Sequence, residues 1–229
     1  MKIILLLIAV LLIAEVIGLL VLRSQIDRYA TFWNQRATGD IPENALIYVA
    51  LGDSTAQGIG ATSPMRGYVG LLARSLEQKY NRPVHIINLS SSGATLKDCI
   101  DEQLPRLASL DVEIDVATIE IGANDMNNFE PEQFRNEMQK IMEDLPPDTV
   151  ISDMPYFGGG RKKNYQPAAI QANEIIYNLA DNYDVEVAKL QQETRANDHI
   201  INYAPDFFHP SNAGYKNWHN AFWDVLKQP

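Results

Sequence analysis

Four short polar segments along the chain contain the residue types that acyl-transfer chemistry uses. They read Gly-Asp-Ser-Thr-Ala-Gln-Gly from Gly52, Asn-Leu-Ser-Ser-Ser-Gly-Ala from Asn88, Gly-Ala-Asn-Asp from Gly122 and Asp-Phe-Phe-His-Pro-Ser from Asp206. Acyl transfer needs a nucleophile, a base that takes its proton, a group that orients the base, and hydrogen-bond donors for the oxyanion. Each segment can supply at least one of these parts.

The polar segments lie at the ends of predicted secondary-structure elements. Short apolar runs with β-branched residues predict buried strands at Leu46–Leu51, Val84–Leu89, Ile114–Ile121, Thr149–Ser152 and Val185–Leu190. Helices are predicted at Gly67–Tyr80, Leu96–Leu110, Pro131–Leu145, Pro167–Tyr183 and Ser211–Leu226. This alternation predicts an α/β fold in three α/β/α layers, with a five-stranded, mainly parallel sheet. Ligands of such sheets bind beyond the carboxyl ends of the strands, where the first three polar segments lie.

In this order, the four segments resemble the signature of the SGNH, or GDSL, hydrolases, a family of esterases and lipases. The resemblance spans Gly52 to His209 and implies a flavodoxin-like SGNH hydrolase fold. It also implies a carboxylic ester hydrolase that acts without a metal or another cofactor. One residue departs from the usual pattern, because Thr55 stands where the family often has leucine, at a position that varies.

The resemblance assigns a role to each candidate residue. Ser54 would attack the ester carbonyl, His209 would act as general base, and Asp206 would orient His209. The oxyanion hole would consist of the backbone N–H groups of Ser54 and Gly93 and the side-chain amide of Asn124. These roles agree with physical chemistry, since an imidazole activates a serine hydroxyl and a carboxylate fixes the imidazole's tautomer.

Each segment taken alone is also compatible with an ordinary structural role. Gly-Asp-Ser is a common turn, Gly-x-Asn-Asp can form an Asx turn, and Asp-x-x-His can cap a helix. We interpret Asp53 and Asp125 as hydrogen-bonding residues that fix their loops. Four segments in order at the ends of predicted elements favour an active hydrolase. The alternatives are a carbohydrate O-deacetylase of the same family and a catalytically silent domain that binds an acyl or glycan ligand.

Composition and motif spacing argue against several other classes of protein. The net charge of −10 lacks the cationic surface that nucleic-acid binding requires. Ser54 does not lie in a Gly-x-Ser-x-Gly elbow, and the glycines that follow form no nucleotide-binding loop. The single cysteine, Cys99, excludes an intramolecular disulfide and a multi-cysteine metal site. Three other histidines show no metal-ligand spacing: His85, His199 and His219.

The amino-terminal segment predicts a membrane anchor. Ile3–Leu22 is apolar apart from Glu15 and Gly18, and about 20 apolar residues suffice to cross a bilayer core. A cleaved signal peptide is the alternative, but the apolar run continues past the nearest small-residue site. We therefore expect one transmembrane helix within residues 1–23, a stalk or linker at 24–44 and a hydrolase domain at 45–229. On these boundaries, a chain that starts near Ile41 would suffice for chemistry.

Two further expectations concern the stalk and the cellular location. Tyr29, Phe32 and Trp33 fit either an aromatic belt at the membrane interface or a stalk helix that packs on the domain. Exported relatives favour a catalytic domain outside the cytoplasm, whereas the positive-inside rule favours the opposite orientation. The expected partners are a membrane, through the anchor, and a small-molecule, lipid or glycan ester as substrate. The sequence leaves the oligomeric state open.

Overall fold

The computed structural model describes residues 2–183 and 185–228, apart from the side chains of residues 2–12 and 14. Its centre is a five-stranded parallel sheet with the strand order β2-β1-β3-β4-β5. The strands are β1 (Leu46–Gly52), β2 (Val84–Asn88), β3 (Val116–Glu120), β4 (Val150–Ser152) and β5 (Glu186–Ala188). All five lie within or next to the predicted apolar runs, so the predicted parallel sheet is confirmed.

The strand order creates a crevice where the site can form. After β1 the chain forms β2, which pairs with one edge of β1. It then crosses back and forms β3, which pairs with the other edge of β1. The helices that follow β1 and β3 therefore leave on opposite faces and open a gap at the carboxyl ends of these strands. Every residue of β1 is buried, because helices cover both faces of the sheet.

Helices flank the sheet on both faces. They are α1 (Lys2–Ala37), α2 (Ser54–Gln57), α3 (Tyr68–Tyr80), α4 (Leu96–Asp98), α5 (Leu104–Ala108), α6 (Pro131–Asp144), α7 (Gln166–Tyr183), α8 (Leu190–Ala196) and α9 (Tyr215–Leu226). The core on one face holds side chains of α4 to α7, including Met138 and Ile176. The core on the other face holds side chains of α1, α3 and α9, including Trp33, Leu72 and Phe222. The three-layer arrangement agrees with the prediction.

Two helical regions differ from their predictions. The predicted helix Leu96–Leu110 consists of α4 and α5 with a π-helical segment, Cys99–Gln103, between them. The last helix begins at Tyr215 rather than at Ser211, because the Ser211 side chain accepts hydrogen bonds from the backbone N–H groups of two residues that follow it. Such local bonds offer the backbone an alternative to the helix.

The end of α1 is part of the domain's core. Residues 24–37 of the predicted stalk continue α1, and Tyr29 and Trp33 are only 5% and 2% exposed. Of the two alternatives for the aromatic residues, a helix that packs on the domain therefore fits these two. The segment 24–44 is thus a packed helix for most of its length rather than a free linker.

The predicted membrane span falls largely outside the described side chains. Across the part of the chain that the structure describes, no helix combines the length and the apolar character that crossing a membrane requires. The predicted span, Ile3–Leu22, includes residues 3–12 and 14, whose side chains lie outside that description.

Candidate active site

The turn between β1 and α2 carries Ser54. Gly52 has a φ of +141°, and a β-carbon there would lie 2.2 Å from the carbonyl oxygen of Glu120, so only glycine lets the chain turn this close to β3. Asp53 then caps α2, since its carboxylate accepts a hydrogen bond of 2.8 Å from the backbone N–H of Thr55. This bond agrees with the predicted loop-fixing role of Asp53. Ser54 is the first residue of α2 and is largely buried.

Asp206, His209 and Ser54 form a continuous chain of hydrogen bonds. Nε2 of His209 lies 3.0 Å from Oγ of Ser54, and Nδ1 of His209 lies 2.5 Å from Oδ2 of Asp206. The other oxygen, Oδ1 of Asp206, accepts bonds from the backbone N–H groups of Phe208 and His209. The structure therefore brings together the three residues proposed as nucleophile, base and orienting group, although Ser54 and Asp206 are 152 positions apart in the sequence.

The electrostatics of this chain suit a proton transfer from the serine. Burial opposes ionisation of Asp206, but the hydrogen bond and charge of His209, with the two backbone donors, hold the pKa of Asp206 below its ordinary value. Asp206 is therefore ionised at neutral pH and can stabilise a protonated imidazole. The side chains of Asp206 and His209 are each 17% exposed, so solvent screens their interaction only in part.

The three predicted oxyanion donors differ in how freely they face the site. Ser54 N–H stands at the start of α2, where helical N–H groups have no intrahelical partner. Gly93 has a φ of +84°, and apart from Gly93 itself and its two neighbours in the chain, no described residue has an atom within 4 Å of the place that its β-carbon would take. Nδ2 of Asn124, in contrast, donates to the carbonyl oxygen of Ala94 at 2.9 Å and to Oδ2 of Asp53 at 3.2 Å. Asn124 must give up one of these bonds to hold an oxyanion.

Two buried carboxyl groups below Ser54 share one hydroxyl group. Oγ1 of Thr55 contacts Oε2 of Glu120 and lies 3.1 Å from Oδ1 of Asp53. A hydroxyl has one proton to donate, so one carboxyl group must itself be the second donor. Burial raises the pKa of both groups, and burial together with the charge of Asp53 raises that of Glu120 well above its ordinary value, so the pair favours holding a proton. Sequence reasoning missed this pair, although an acidic residue inside the apolar run Ile114–Ile121 was a signal.

A second loop contact supports the oxyanion region. The carboxylate of Asp125 accepts a bond of 3.2 Å from the backbone N–H of Leu96, which joins the loop after β3 to the loop that contains Gly93. This contact agrees with the loop-fixing role predicted for Asp125. Among the described side chains, no group of three or more His, Cys, Asp or Glu residues is arranged to hold a metal ion.

A pocket with several aromatic residues in its wall opens beside His209. Its free volume is small, about 40 Å³, and it opens to solvent at its mouth. Its aromatic residues come from the loop after β4, the segment 203–209 and α9, and they comprise Tyr156, Phe157, Tyr203, Phe207, Phe208 and Trp218. Because apolar groups bind favourably to such walls, the pocket can take an apolar portion of a substrate close to Ser54.

Comparisons with known proteins place this geometry in a family. A family model described as GDSL-like lipase/acylhydrolase matches residues 50–216. A search of curated proteins gives no match. A lipolytic G-D-S-L family protein from Veillonella parvula is 18% identical, with a TM-score of 0.68, over 81% of this chain and 100% of that chain.

Two further solved structures show the same fold. The structure of TesA is 20% identical, with a TM-score of 0.66, over 79% of this chain and 98% of that chain. Axe2, an acetylxylan esterase from Geobacillus stearothermophilus, is 16% identical, with a TM-score of 0.63, over 82% and 98% of the two chains. At these identities the similarity establishes the fold. Because the family model covers most of the chain and all four polar segments, the chain belongs to the GDSL-like lipase/acylhydrolase family and is an SGNH-type hydrolase.

Proposed function

We propose that the protein is a serine esterase that forms an acyl-enzyme on Ser54. The observation that carries this proposal is the hydrogen-bonded chain from Asp206 through His209 to Ser54, with distances of 2.5 and 3.0 Å. Oγ of Ser54 attacks the ester carbonyl carbon while its proton passes to Nε2 of His209. The C–O bond to the alcohol then breaks, and His209 returns the proton to the leaving oxygen. Water, deprotonated by His209, hydrolyses the acyl-enzyme and restores Ser54.

In this mechanism the N–H groups of Ser54 and Gly93 stabilise the negative oxygen of the tetrahedral intermediate. Asn124 joins them when its amide leaves Asp53, the longer of its two contacts. Asn124→Ala should lower kcat about 10²- to 10³-fold with little change in KM, because the oxyanion exists only around the transition state. Steady-state kinetics would show this, with the exposed neighbour Asn128→Ala as the control. A change confined to KM would instead place Asn124 on the bound substrate.

The substrate that we propose is an ester with an apolar acyl chain. The aromatic pocket supports this choice, because an apolar chain gains more from such walls than an acetyl group does. A panel of p-nitrophenyl esters from acetyl to palmitoyl tests the proposal, and kcat/KM should rise from the acetyl ester to longer chains. A preference for acetyl esters, extended to acetylated oligosaccharides, would favour the O-deacetylase alternative.

Covalent labelling tests the nucleophile directly. A fluorophosphonate probe should add to Ser54 in the wild-type protein, and the labelled peptide should be identifiable by mass spectrometry. Ser54→Ala should take up no label. Equal labelling of both proteins, or labelling at another serine, would contradict the acyl-enzyme mechanism.

We also propose that the start of α1 holds the protein at a membrane, with the catalytic domain outside the cytoplasm. The apolar sequence of residues 3–22 supports this, and so does the outward exposure of Ile13, Val16, Ile17 and Leu20 on α1. Fractionation of the full-length protein should recover it with membranes, and added protease should digest the domain in intact spheroplasts. Recovery in the soluble fraction, or protection from protease, would contradict the respective half of this proposal.

A further inference from the structure

Three side chains of α1 contact the loop that follows the nucleophile, although α1 precedes the part of the chain that the family model matches. Gln25, Tyr29 and Trp33 recur every four residues and so lie on one face of the helix. They are 5%, 5% and 2% exposed, whereas Arg28 and Thr31 between them are exposed. This face of α1 is therefore fully packed against the domain.

The polar atoms of these side chains bind the backbone of residues 57–61. Nε2 of Gln25 donates to the carbonyl oxygen of Ala61 at 3.0 Å, and Oε1 of Gln25 accepts from the N–H of Gly60 at 2.8 Å. The Tyr29 hydroxyl donates to the same Ala61 oxygen at 2.7 Å. Nε1 of Trp33 donates to the carbonyl oxygen of Gln57 at 3.0 Å. Four hydrogen bonds, three buried and one partly buried, thus join α1 to this loop.

The opposite side of the same loop contacts the catalytic residues. The N–H of Ile59 donates to the carbonyl oxygen of Ser54 at 3.0 Å. A β-carbon on Gly60 would lie 3.1 Å from the β-carbon of His209 and 2.3 Å from the carbonyl oxygen of Pro210. The loop therefore fills the space between α1 and the segment that holds His209. A shift of Gly60 would thus displace His209.

We propose that Gln25, Tyr29 and Trp33 are positioning residues for the Ser54–His209 pair. The proposal rests on the esterase mechanism above. It adds a role for α1, a helix that lies outside the residues that the family model matches. Gly58 and Gly60 both have positive φ values, so the loop's own backbone restrains it weakly. The bonds from α1 hold it in place, and misplacement of reacting groups by about 1 Å can cost about 10²-fold in rate.

Single substitutions in the full-length, detergent-solubilised protein test this role. Gln25→Ala should lower kcat for a short p-nitrophenyl ester about 10-fold or more while KM stays within about threefold, because the loop positions the reacting groups and does not contact the ester. The rate of fluorophosphonate labelling should fall in parallel. Tyr29→Phe keeps the ring and removes one of two donors to Ala61, so a smaller loss is expected. Thr31→Ala is the matched control, since Thr31 bonds only within α1, and it should behave as wild type.

The readouts separate positioning from a purely structural role. All rates are measured well below each variant's melting temperature, where a structural role would lower the melting temperature and leave kcat unchanged. Gln25→Ala with near wild-type kcat and labelling would overturn the proposal. If Gln25→Ala does not fold, the comparison of Tyr29→Phe with Thr31→Ala decides in the same way. Failure of the esterase mechanism is distinguishable, because wild type and Ser54→Ala would then give equal turnover.

Discussion

At the scale of single residues, the hydrogen bonds that join Ser54, His209 and Asp206 predict strongly non-additive kinetics. Ser54→Ala and His209→Ala should each remove nearly all turnover, by about 10³-fold or more, and the double variant should be scarcely worse than either. The reason is that His209 has no proton to accept once the hydroxyl is absent. Single-turnover rates of the three variants measure this. Rates that multiply in the double variant would show that the two residues act separately.

Asp153 predicts a pH-dependent stability that is independent of catalysis. It is 3% exposed, accepts bonds from Gln191 N–H and the Tyr177 hydroxyl, and burial raises its pKa to about 6. Since this folded-state pKa exceeds the ordinary value of 3.8, the stabilisation is complete below about pH 4 and is lost as the pH rises through about 6. Asp153→Asn should remove that loss.

Urea unfolding at pH 4 and pH 7 measures the effect. Between these pH values, the free energy of unfolding of Asp153→Asn should gain on the order of 3 kcal/mol relative to wild type, from about 1.4 kcal/mol per pKa unit. The exposed Asp181→Asn on α7 is the control and should show no such gain. An equal difference between Asp153→Asn and wild type at both pH values would contradict the burial argument.

At the scale of elements, continuous apolar runs made the strands predictable. Each run in β1 to β5 contains β-branched residues, and a short run of this kind between loop residues is typical of a strand that is buried on both faces. The short α8 was not predicted, because seven residues give too little periodicity to separate a helix from a loop. The surface against which Tyr29 and Trp33 pack could not be predicted either, since their spacing indicates a buried helix face but not the residues that cover it.

The features of the site also divide into those that the local sequence predicts and those that it does not. Local segments with recognisable residue types identified Ser54, His209 and Asp206, which the structure brings together. The hydrogen bonds from Asn124 to Ala94 and Asp53 depend on three separate loops meeting, and no local pattern encodes such a meeting. The raised pKa of Glu120 depends in the same way on its burial beside Asp53.

A side chain at Gly60, in the loop after α2, should strain the backbone. Its φ of +96° and the nearby Pro210 oxygen leave no room for a side chain, so Gly60→Ala should lower the free energy of unfolding by about 2–4 kcal/mol. Turnover should fall as well, because the displaced segment carries His209. Denaturant titration and kinetics check both effects. Gly39→Ala, whose new β-carbon would meet only ordinary contacts, is the control. A stable, active Gly60→Ala would mean that this loop adapts freely.

At the scale of the whole molecule, the packing of α1 changes where the catalytic unit begins. A chain that starts at Arg23 keeps Gln25, Tyr29 and Trp33, and we expect it to fold and to hydrolyse a short ester. A chain that starts at Ile41 loses the buried Trp33, a loss comparable to a core Trp→Ala change of about 3–5 kcal/mol. Parallel melting curves and ester assays of the two chains measure the difference. Equal stability and activity would show that α1 is dispensable.

The contacts near the start of α1 set a limit on its reach. Glu15 pairs with Arg161, and Gly18 packs so closely on Pro205 that a β-carbon would lie 2.6 Å from that ring. The predicted span Ile3–Leu22 includes Glu15 and Gly18, and its part before them, residues 3–14, makes about 18 Å of helix at 1.5 Å per residue. A bilayer's hydrocarbon core is about 30 Å thick. Residues 15–22 can therefore lie either against the domain or in the lipid interior. Insertion of α1 into a membrane and its packing on the domain thus compete for the same stretch of helix. Pro205 connects this competition to the loop that ends in His209.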